Sequence, residues 1–214
     1  GDRFDYLLSM SSNARGMDLY AKEHLPEGHP KRQRRYINGD VNTSLIKTVN
    51  GLSIILKHDT DLPRPYSRDN IVQGTRGIVR GFPRFEVCLE GKDHRHKWTP
   101  GDSFYERYDH PLWKEVETRS RSLPKAVGPL VKGAVWHYNP ATELRNGDFL
   151  EDFRLIQALR TGTAPDFDVY DAASWSAISA LSEKSVAHRS ELQEFPDFTK
   201  GRWKDRPPLK ILGV

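Results

Sequence analysis

The sequence predicts an α+β domain with an open, mainly antiparallel or mixed β-sheet and helices packed on one face. Short apolar runs separated by turn residues fill residues 41–90, and helical patterns follow nearer the C-terminus. Asn50-Gly51 lies between two of these runs, and this dipeptide is a strong short-range signal for an antiparallel hairpin. A chain of 214 residues suits one domain, so residues 1–214 are predicted to form a single domain.

Six short runs have the character of strands. Apolar and polar residues alternate most clearly in the last run, where Phe85, Val87 and Leu89 share one face, as in a strand with one buried side. At Asn50-Gly51 we expect a type I′ turn, which needs positive φ at both residues. Residues 41–90 are therefore interpreted as an antiparallel meander. The predicted strands are Asp5–Ser11, Ser44–Val49, Leu52–Lys57, Asn70–Gln73, Gly77–Arg80 and Phe85–Glu90.

Four segments have helical character. In the last one Trp175, Ile178 and Leu181 recur at helical spacing, and Asp168 or Asp171 can cap its start. These helices are expected to cover one face of the sheet. The predicted helices are Asn13–Leu25, Pro111–Arg119, Asp148–Leu159 and about Asp171–His188.

Composition and motifs argue against several classes of function. No stretch approaches the roughly 20 apolar residues of a membrane span, and the single cysteine, Cys88, excludes an internal disulfide and a Cys-rich metal site. The dense basic run Lys31–Arg35 has no interleaved aromatics, which favours a solvated loop over a nucleic-acid surface. Gly74, Gly77 and Gly81 do not match G-x-G-x-x-G, so this chain should not bind a nucleotide tightly.

Histidines and neighbouring acids give no clear catalytic set. His94 and His96 have a spacing that suits metal ligands, but no third ligand is indicated, which favours solvated histidines. His137 is interpreted as structural. Glu151 and Asp152 are adjacent on a predicted helix and point about 100° apart, so they cannot act together as a glycosidase acid/base pair.

The segment His58–Asn70, HDTDLPRPYSRDN, is the strongest candidate for a binding site. Its two prolines restrict φ and extend the residues before them, so the segment is stiff. A stiff segment would hold Tyr66, Arg64 and Arg68 with little entropy left to lose on binding. A tyrosine, with its apolar face and its hydroxyl, suits a sugar. On chemistry alone, a surface turn whose tyrosine packs on the core is equally consistent with this sequence.

Four long strings are spread over nearly the whole chain: RFDYLLSMSS, GDVNTSLIKTVNGLSIILKHDTDLPRPYSRDNIVQGTRGIVRGFP, DVYDAASWSAISALSEKSVA and FPDFTKGRW. They resemble glycoside hydrolase family 109, within the glucose–fructose oxidoreductase/inositol dehydrogenase (Gfo/Idh/MocA) superfamily. The chain resembles only the C-terminal domain of that family, which has a large open sheet.

The resemblance implies the substrate-side domain of an NAD-dependent α-N-acetylgalactosaminidase. Family members hold NAD on an N-terminal Rossmann domain, which is absent from this chain. In the implied reaction NAD takes a hydride from the sugar C3, the C2 proton and the C1 leaving group depart, water adds, and the reduced cofactor returns the hydride. NAD is thus expected in the full-length protein and no cofactor in this chain, which alone should be inactive.

The resemblance also assigns residues and partners. The family's substrate-contacting tyrosine in Leu-Pro-Arg-Pro-Tyr corresponds to Tyr66, and Arg64 and Arg68 are predicted to bind substrate from their place in the motif. Leu144–Gly147 departs from the His-Gly-Gly-Met often found in the family, so the identity of the substrate sugar stays open. The alternatives are a sugar dehydrogenase of the same superfamily and a non-catalytic dimerisation module.

The expected partners are a carbohydrate substrate, the N-terminal NAD-binding domain and a second copy bound through the sheet. The mixed apolar content of both faces of the predicted hairpin supports the second copy, because an open sheet needs its second face covered. Neither a nucleic acid nor a membrane is expected as a partner. The sequence leaves the compartment open.

Overall fold

The computed structural model describes residues 1–59, 61–93, 96–101, 104 and 148–207, and describes residues 148–150 by backbone alone. These residues form three α-helices and eight strands, and the strands make two four-stranded antiparallel sheets. The predicted α+β class with open antiparallel sheets is confirmed. The predicted helix Pro111–Arg119, His94, His137 and the Leu144–Gly147 departure lie outside the described residues.

The chain divides into two compact units. The first contains residues 1–64 and 167–208, and the second contains residues 65–166 and 209–214. A single domain over residues 1–214 stays a prediction. No helix among the described residues combines the length and the apolar character that crossing a membrane requires.

The first unit is built on a sheet with the strand order β3-β2-β1-β8. Leu7 of β1 lies opposite Ile46 of β2, which lies opposite Ile54 of β3, so apolar side chains align on one face. The three strands predicted first along the chain are confirmed. The elements of this unit are β1 (Phe4–Ser11), α1 (Gly16–His24), β2 (Val41–Thr48), β3 (Ser53–Asp59), α3 (Val169–Ala187) and β8 (Gln193–Glu194).

The β2–β3 hairpin forms as predicted, but the prediction of a type I′ turn is wrong. Gly51 has a φ of +93°, whereas Asn50 is not among the residues with positive φ. The Gly51 N–H donates to the Thr48 carbonyl at 3.0 Å, and the Thr48 N–H donates to the Leu52 carbonyl at 3.0 Å. This pairing leaves a three-residue loop, in which only the final glycine takes the left-handed conformation.

Helix α3 packs on one face of the first sheet. Leu7, Ile46 and Phe195 form a buried apolar cluster, and Ile178 and Leu181 of α3 pack against it. The predicted helix and most of its apolar stripe are therefore confirmed. Trp175 is the exception, because it is half exposed and packs edge-on against Phe167, with ring centroids 5.1 Å apart.

Buried serines fill the closest part of the contact between helix and sheet. Ser9, Ser44 and Ser185 are fully buried, and the Ser9 and Ser44 hydroxyls are 2.6 Å apart. Ser9 lies beyond the last pair between β1 and β8, and its backbone N–H donates to Ser185 Oγ at 2.8 Å. The Ser185 hydroxyl thus satisfies a backbone group of β1 that the short strand β8 leaves without a partner.

Arg206 ties the C-terminal tail to the start of α3. The Asp168 and Asp171 side chains cap this helix reciprocally, so both predicted caps are used. The Arg206 guanidinium donates to Asp171 Oδ1 at 2.8 Å and lies 3.1 Å from Asp168 Oδ2. The hydrogen bond from Arg206 holds the pKa of Asp171 below its ordinary value, although partial burial acts in the opposite direction.

The Arg206–Asp171 ion pair should stabilise the fold at neutral pH and not in acid. Because the folded-state pKa of Asp171 is depressed, its contribution is present above the unfolded-state pKa of about 4 and is lost as the pH falls through the folded-state value. We expect Arg206→Gln to lower the free energy of unfolding by at most about 1 kcal/mol at pH 7. The difference from the unmodified chain should shrink as the pH falls through the folded-state pKa of Asp171.

Urea unfolding of both proteins across this pH range measures the effect. Arg202→Gln is a matched control, because the Arg202 guanidinium bonds to the Tyr170 hydroxyl and not to a carboxylate. A difference between Arg206→Gln and the unmodified chain that stays constant with pH would contradict the assignment.

The second unit contains the sheet β4-β5-β6-β7 and helix α2. The predicted meander over residues 41–90 is therefore divided between two sheets. The division falls in the segment between β3 and β4, where Pro63 and Pro65 have no N–H to continue a strand ladder. The elements of this unit are β4 (Ile71–Gly74), β5 (Gly77–Arg80), β6 (Glu86–Leu89), β7 (Thr99–Pro100) and α2 (Asp148–Thr161).

Candidate functional site

The proline-containing segment after β3 begins with an arginine anchored on the strand. Arg64 Nη2 donates to the Asp59 carbonyl at 3.0 Å, and Arg64 Nε lies 3.3 Å from Asp59 Oδ2. The Asp59 carboxylate is buried, and its Oδ1 has no hydrogen-bond partner among the described residues. Arg64 therefore pairs with Oδ2 of the Asp59 carboxylate. This contact attaches the start of the segment to the end of β3.

Tyr66 is displayed on the surface of the second unit. Its side chain is 66% exposed, and its ring packs edge-on against Phe82, with centroids 5.6 Å apart and an interplanar angle of 73°. Arg68 Nε donates to the Tyr66 hydroxyl oxygen at 2.9 Å. One contact thus holds the ring and the other holds the oxygen, so the phenol is oriented without being buried.

This arrangement makes Tyr66 a directed hydrogen-bond donor. Its oxygen already accepts from Arg68, so the phenol proton remains for an acceptor, and the part of the chain that the structure describes offers none. The exposed part of the ring provides an apolar surface next to that proton. A ligand with a hydroxyl or carbonyl oxygen beside C–H groups, as in a sugar, matches both features.

The structure brings two of the three predicted site residues together. Tyr66 and Arg68 are hydrogen-bonded, whereas Arg64 pairs with Asp59. The alternative of a tyrosine packed on the core is wrong, because most of the Tyr66 side chain is exposed. Sequence reasoning missed Phe82, whose only signal is an aromatic residue before a proline in Gly81-Phe82-Pro83.

The described residues do not fit a resident metal or dinucleotide. Within residues 1–59, 61–93, 96–101, 104 and 148–207, no three His, Cys, Asp or Glu side chains converge as metal ligands would. The same residues form antiparallel sheets and show no parallel strand–helix–strand unit of the kind that holds NAD.

These features define an α+β fold with two open antiparallel sheets among the described residues. The chain belongs to glycoside hydrolase family 109, because the family model described as "Glycosyl hydrolase 109, C-terminal domain" matches residues 1–124 and 140–205. The resemblance seen in the sequence is therefore confirmed.

Two relatives from Shewanella show how much of such a protein this chain represents. It is 46% identical over 223 residues to a glycosyl hydrolase family 109 protein of Shewanella sp. (strain W3-18-1), covering 100% of this chain and 43% of the relative. It is also 46% identical over 221 residues to the alpha-N-acetylgalactosaminidase of Shewanella oneidensis, with the same coverage of both. The chain thus spans 43% of the length of these curated relatives.

Proposed function

We propose that this chain is the substrate-side domain of an NAD-dependent glycosidase that acts on α-N-acetylgalactosaminides. The observation that carries the proposal is the exposed Tyr66, whose phenol oxygen is held by Arg68 and whose ring is held by Phe82. The name of the Shewanella oneidensis relative supports the choice of sugar. The greater length of the relatives supports a further part of the protein, which we propose to lie upstream and to bind NAD. The protein with that part is here called the full-length protein.

In this proposal the residues of the chain bind and orient the sugar. The Tyr66 hydroxyl donates to a sugar oxygen, its ring packs on the C–H face of the pyranose, and Arg68 keeps the phenol in one orientation. The redox chemistry of the implied reaction is assigned in this proposal to the upstream part. Direct contact between Arg64 and the substrate stays a prediction.

Product analysis with the full-length protein tests this proposal. With NAD and p-nitrophenyl α-N-acetylgalactosaminide we expect release of p-nitrophenol without net accumulation of NADH, because the implied cycle returns its hydride. Net NADH formation with free sugars and no release of p-nitrophenol would contradict the glycosidase proposal and favour a sugar dehydrogenase.

A second copy of the chain is proposed as a partner through the open face of the first sheet. Leu8 lies opposite Leu45, which lies opposite Ile55, so these side chains share the face that α3 does not cover. Leu45, Ile55 and the neighbouring Met10 are exposed. In a two-fold dimer the apolar strip of one copy packs against the same strip of the other copy, so both strips are buried by one contact.

Sedimentation equilibrium tests the dimer. We expect the chain to be dimeric at micromolar concentration and Ile55→Lys to be monomeric, because a lysine would be desolvated at the centre of the contact. Val72→Lys is a matched control, since Val72 is 73% exposed and Ile55 is 74% exposed, but Val72 lies on β4 of the other sheet. A chain that is monomeric throughout, or an Ile55→Lys variant that remains dimeric, would contradict the proposal.

A further inference from the structure

A polar groove lies beside the start of α1 in the first unit. Its volume is about 360 Å³, and its lining includes Ser12, Asn13, Arg15, Arg35 and Tyr36. These residues come from the end of β1, the start of α1 and the loop before β2. A volume of this size is within the range of sites for small ligands, about 300–1,000 Å³.

The groove contains three donor side chains that bind no residue the structure describes. The guanidinium groups of Arg15 and Arg35 and the carboxamide of Asn13 make no hydrogen bond or ion pair with any residue that the structure describes. Both arginines are exposed. Two positive charges thus face one groove without a compensating carboxylate among the described residues.

The buried Asp40 carboxylate binds the backbone beside the groove and not the arginine side chains. The Asp40 carboxylate is buried and accepts the backbone N–H groups of Arg15 and Gly16, each at 2.9 Å. It therefore satisfies the N-terminus of α1 and fixes the backbone of Arg15. The positive charge of the groove comes from the Arg15 and Arg35 side chains, because Asp40 accepts from backbone N–H groups and not from the guanidinium groups.

Both walls of the groove are fixed by hydrogen bonds. The Ser12 N–H donates to the Val41 carbonyl at 2.9 Å, and the Val41 N–H donates to Ser12 Oγ at 3.0 Å. The Tyr36 hydroxyl donates to the Lys31 carbonyl at 3.1 Å and so closes the loop that carries Arg35. Fixed backbone positions reduce the entropy that the two arginines lose when they bind a common ligand.

We propose that this groove binds an anionic substituent of a glycan, a sulfate, phosphate or carboxylate group, through Arg15 and Arg35, with Asn13 as an additional donor. Guanidinium groups bind such oxyanions with paired N–H donors. The polar walls and the remaining volume accommodate the sugar that carries the group. Recognition of the oxyanion stands on the groove alone, whereas its attachment to a sugar rests on the proposed function.

Titrations of the chain monitored by ¹H–¹⁵N NMR test this site. The probes are sodium sulfate, sodium phosphate, sodium acetate, galactose 6-sulfate and unmodified galactose, at ionic strength held constant with chloride. We expect saturable binding of the sulfated sugar and no binding of galactose, with shifts at the backbone amides of Arg15 and Gly16. Arg15→Gln and Arg35→Gln should each weaken binding by about tenfold or more.

Arg34→Gln is the matched control, because Arg34 is exposed in the same loop and is not among the residues that line the groove. Asn13→Ala provides a variant that keeps both charges, and we expect it to weaken binding less than either arginine variant. Amide spectra like those of the unmodified chain verify that each variant folds.

Lack of saturable binding by every oxyanion up to about 10 mM would overturn the proposal. An equal loss in Arg34→Gln, or tight binding of an oligonucleotide that all three arginine variants lose equally, would also overturn it, because either result indicates diffuse charge. Binding of inorganic anions but not of galactose 6-sulfate would overturn the assignment to a glycan. Binding of galactose 6-sulfate by a full-length protein without glycosidase activity would support the groove while contradicting the proposed function.

Discussion

Phenylalanine in place of Tyr66 should lower kcat/KM of the full-length protein for p-nitrophenyl α-N-acetylgalactosaminide by about 10–100-fold, which corresponds to about 1.4–2.8 kcal/mol of transition-state binding. The substitution keeps the ring that packs on Phe82 and removes the hydroxyl that Arg68 orients. Because that hydroxyl is exposed, its loss should change the free energy of unfolding by less than about 0.5 kcal/mol. Steady-state kinetics and urea unfolding measure the two quantities.

Tyr20→Phe is the matched control for this substitution. Tyr20 is 57% exposed and its ring stacks on His24, so the control removes a similar hydroxyl from a similar surface position. It should leave kcat/KM within about twofold of the unmodified protein. If Tyr66→Phe also stays within twofold, Tyr66 does not contact the substrate.

A double-mutant cycle tests whether Arg68 acts through Tyr66. Arg68→Gln alone should reduce kcat/KM, because the phenol loses the donor that fixes its orientation. In the background of Tyr66→Phe the same change should have little further effect, since the partner atom is gone. Fully additive losses would mean that Arg68 contributes independently of Tyr66.

Truncating Leu7 should produce the largest loss of stability in the first unit. Leu7 has no exposed surface and lies in the cluster with Ile46 and Phe195 beneath α3. Leu7→Ala removes buried methyl groups and leaves a cavity between sheet and helix, so we expect the free energy of unfolding to fall by about 2–5 kcal/mol. Urea denaturation followed by circular dichroism measures the change.

Leu52→Ala deletes the same atoms at a position that is 64% exposed, beside the hairpin turn. It should cost less than about 0.5 kcal/mol. Similar losses at Leu7 and Leu52 would show that the helix–sheet cluster is not the main apolar contribution to stability.

Individual helices and strands could be predicted from the sequence where the spacing of apolar residues or a capping residue marks them. The spacing of Ile178 and Leu181 predicted the face of α3 that packs on the sheet, and the acids at its start predicted its cap. The division of strands between two sheets could not be predicted, because a period of two reports the buried face of a strand and not the sheet it joins. The hairpin turn differed because the Thr48–Leu52 pairing fixes the loop length.

The candidate site was predictable in its residue types and less so in its contacts. Stiffening by prolines marked the segment that carries Tyr66, but the partners of Arg64 and Arg68 depend on side-chain geometry that spacing does not specify. Sequence reasoning missed the polar groove beside the start of α1, because Arg15 and Arg35 are 20 positions apart in the sequence. The hydrogen bonds between Ser12 and Val41 fix the backbone of one wall of the groove.

We propose that this chain supplies the sugar-binding half of an active site whose redox half lies on the upstream part of the full-length protein. The most direct measurement compares turnover of p-nitrophenyl α-N-acetylgalactosaminide with NAD by residues 1–214 alone and by the full-length protein. We predict rapid release of p-nitrophenol by the full-length protein and none by residues 1–214. Turnover by residues 1–214 alone, or a full-length protein that binds NAD and releases no p-nitrophenol, would contradict the claim.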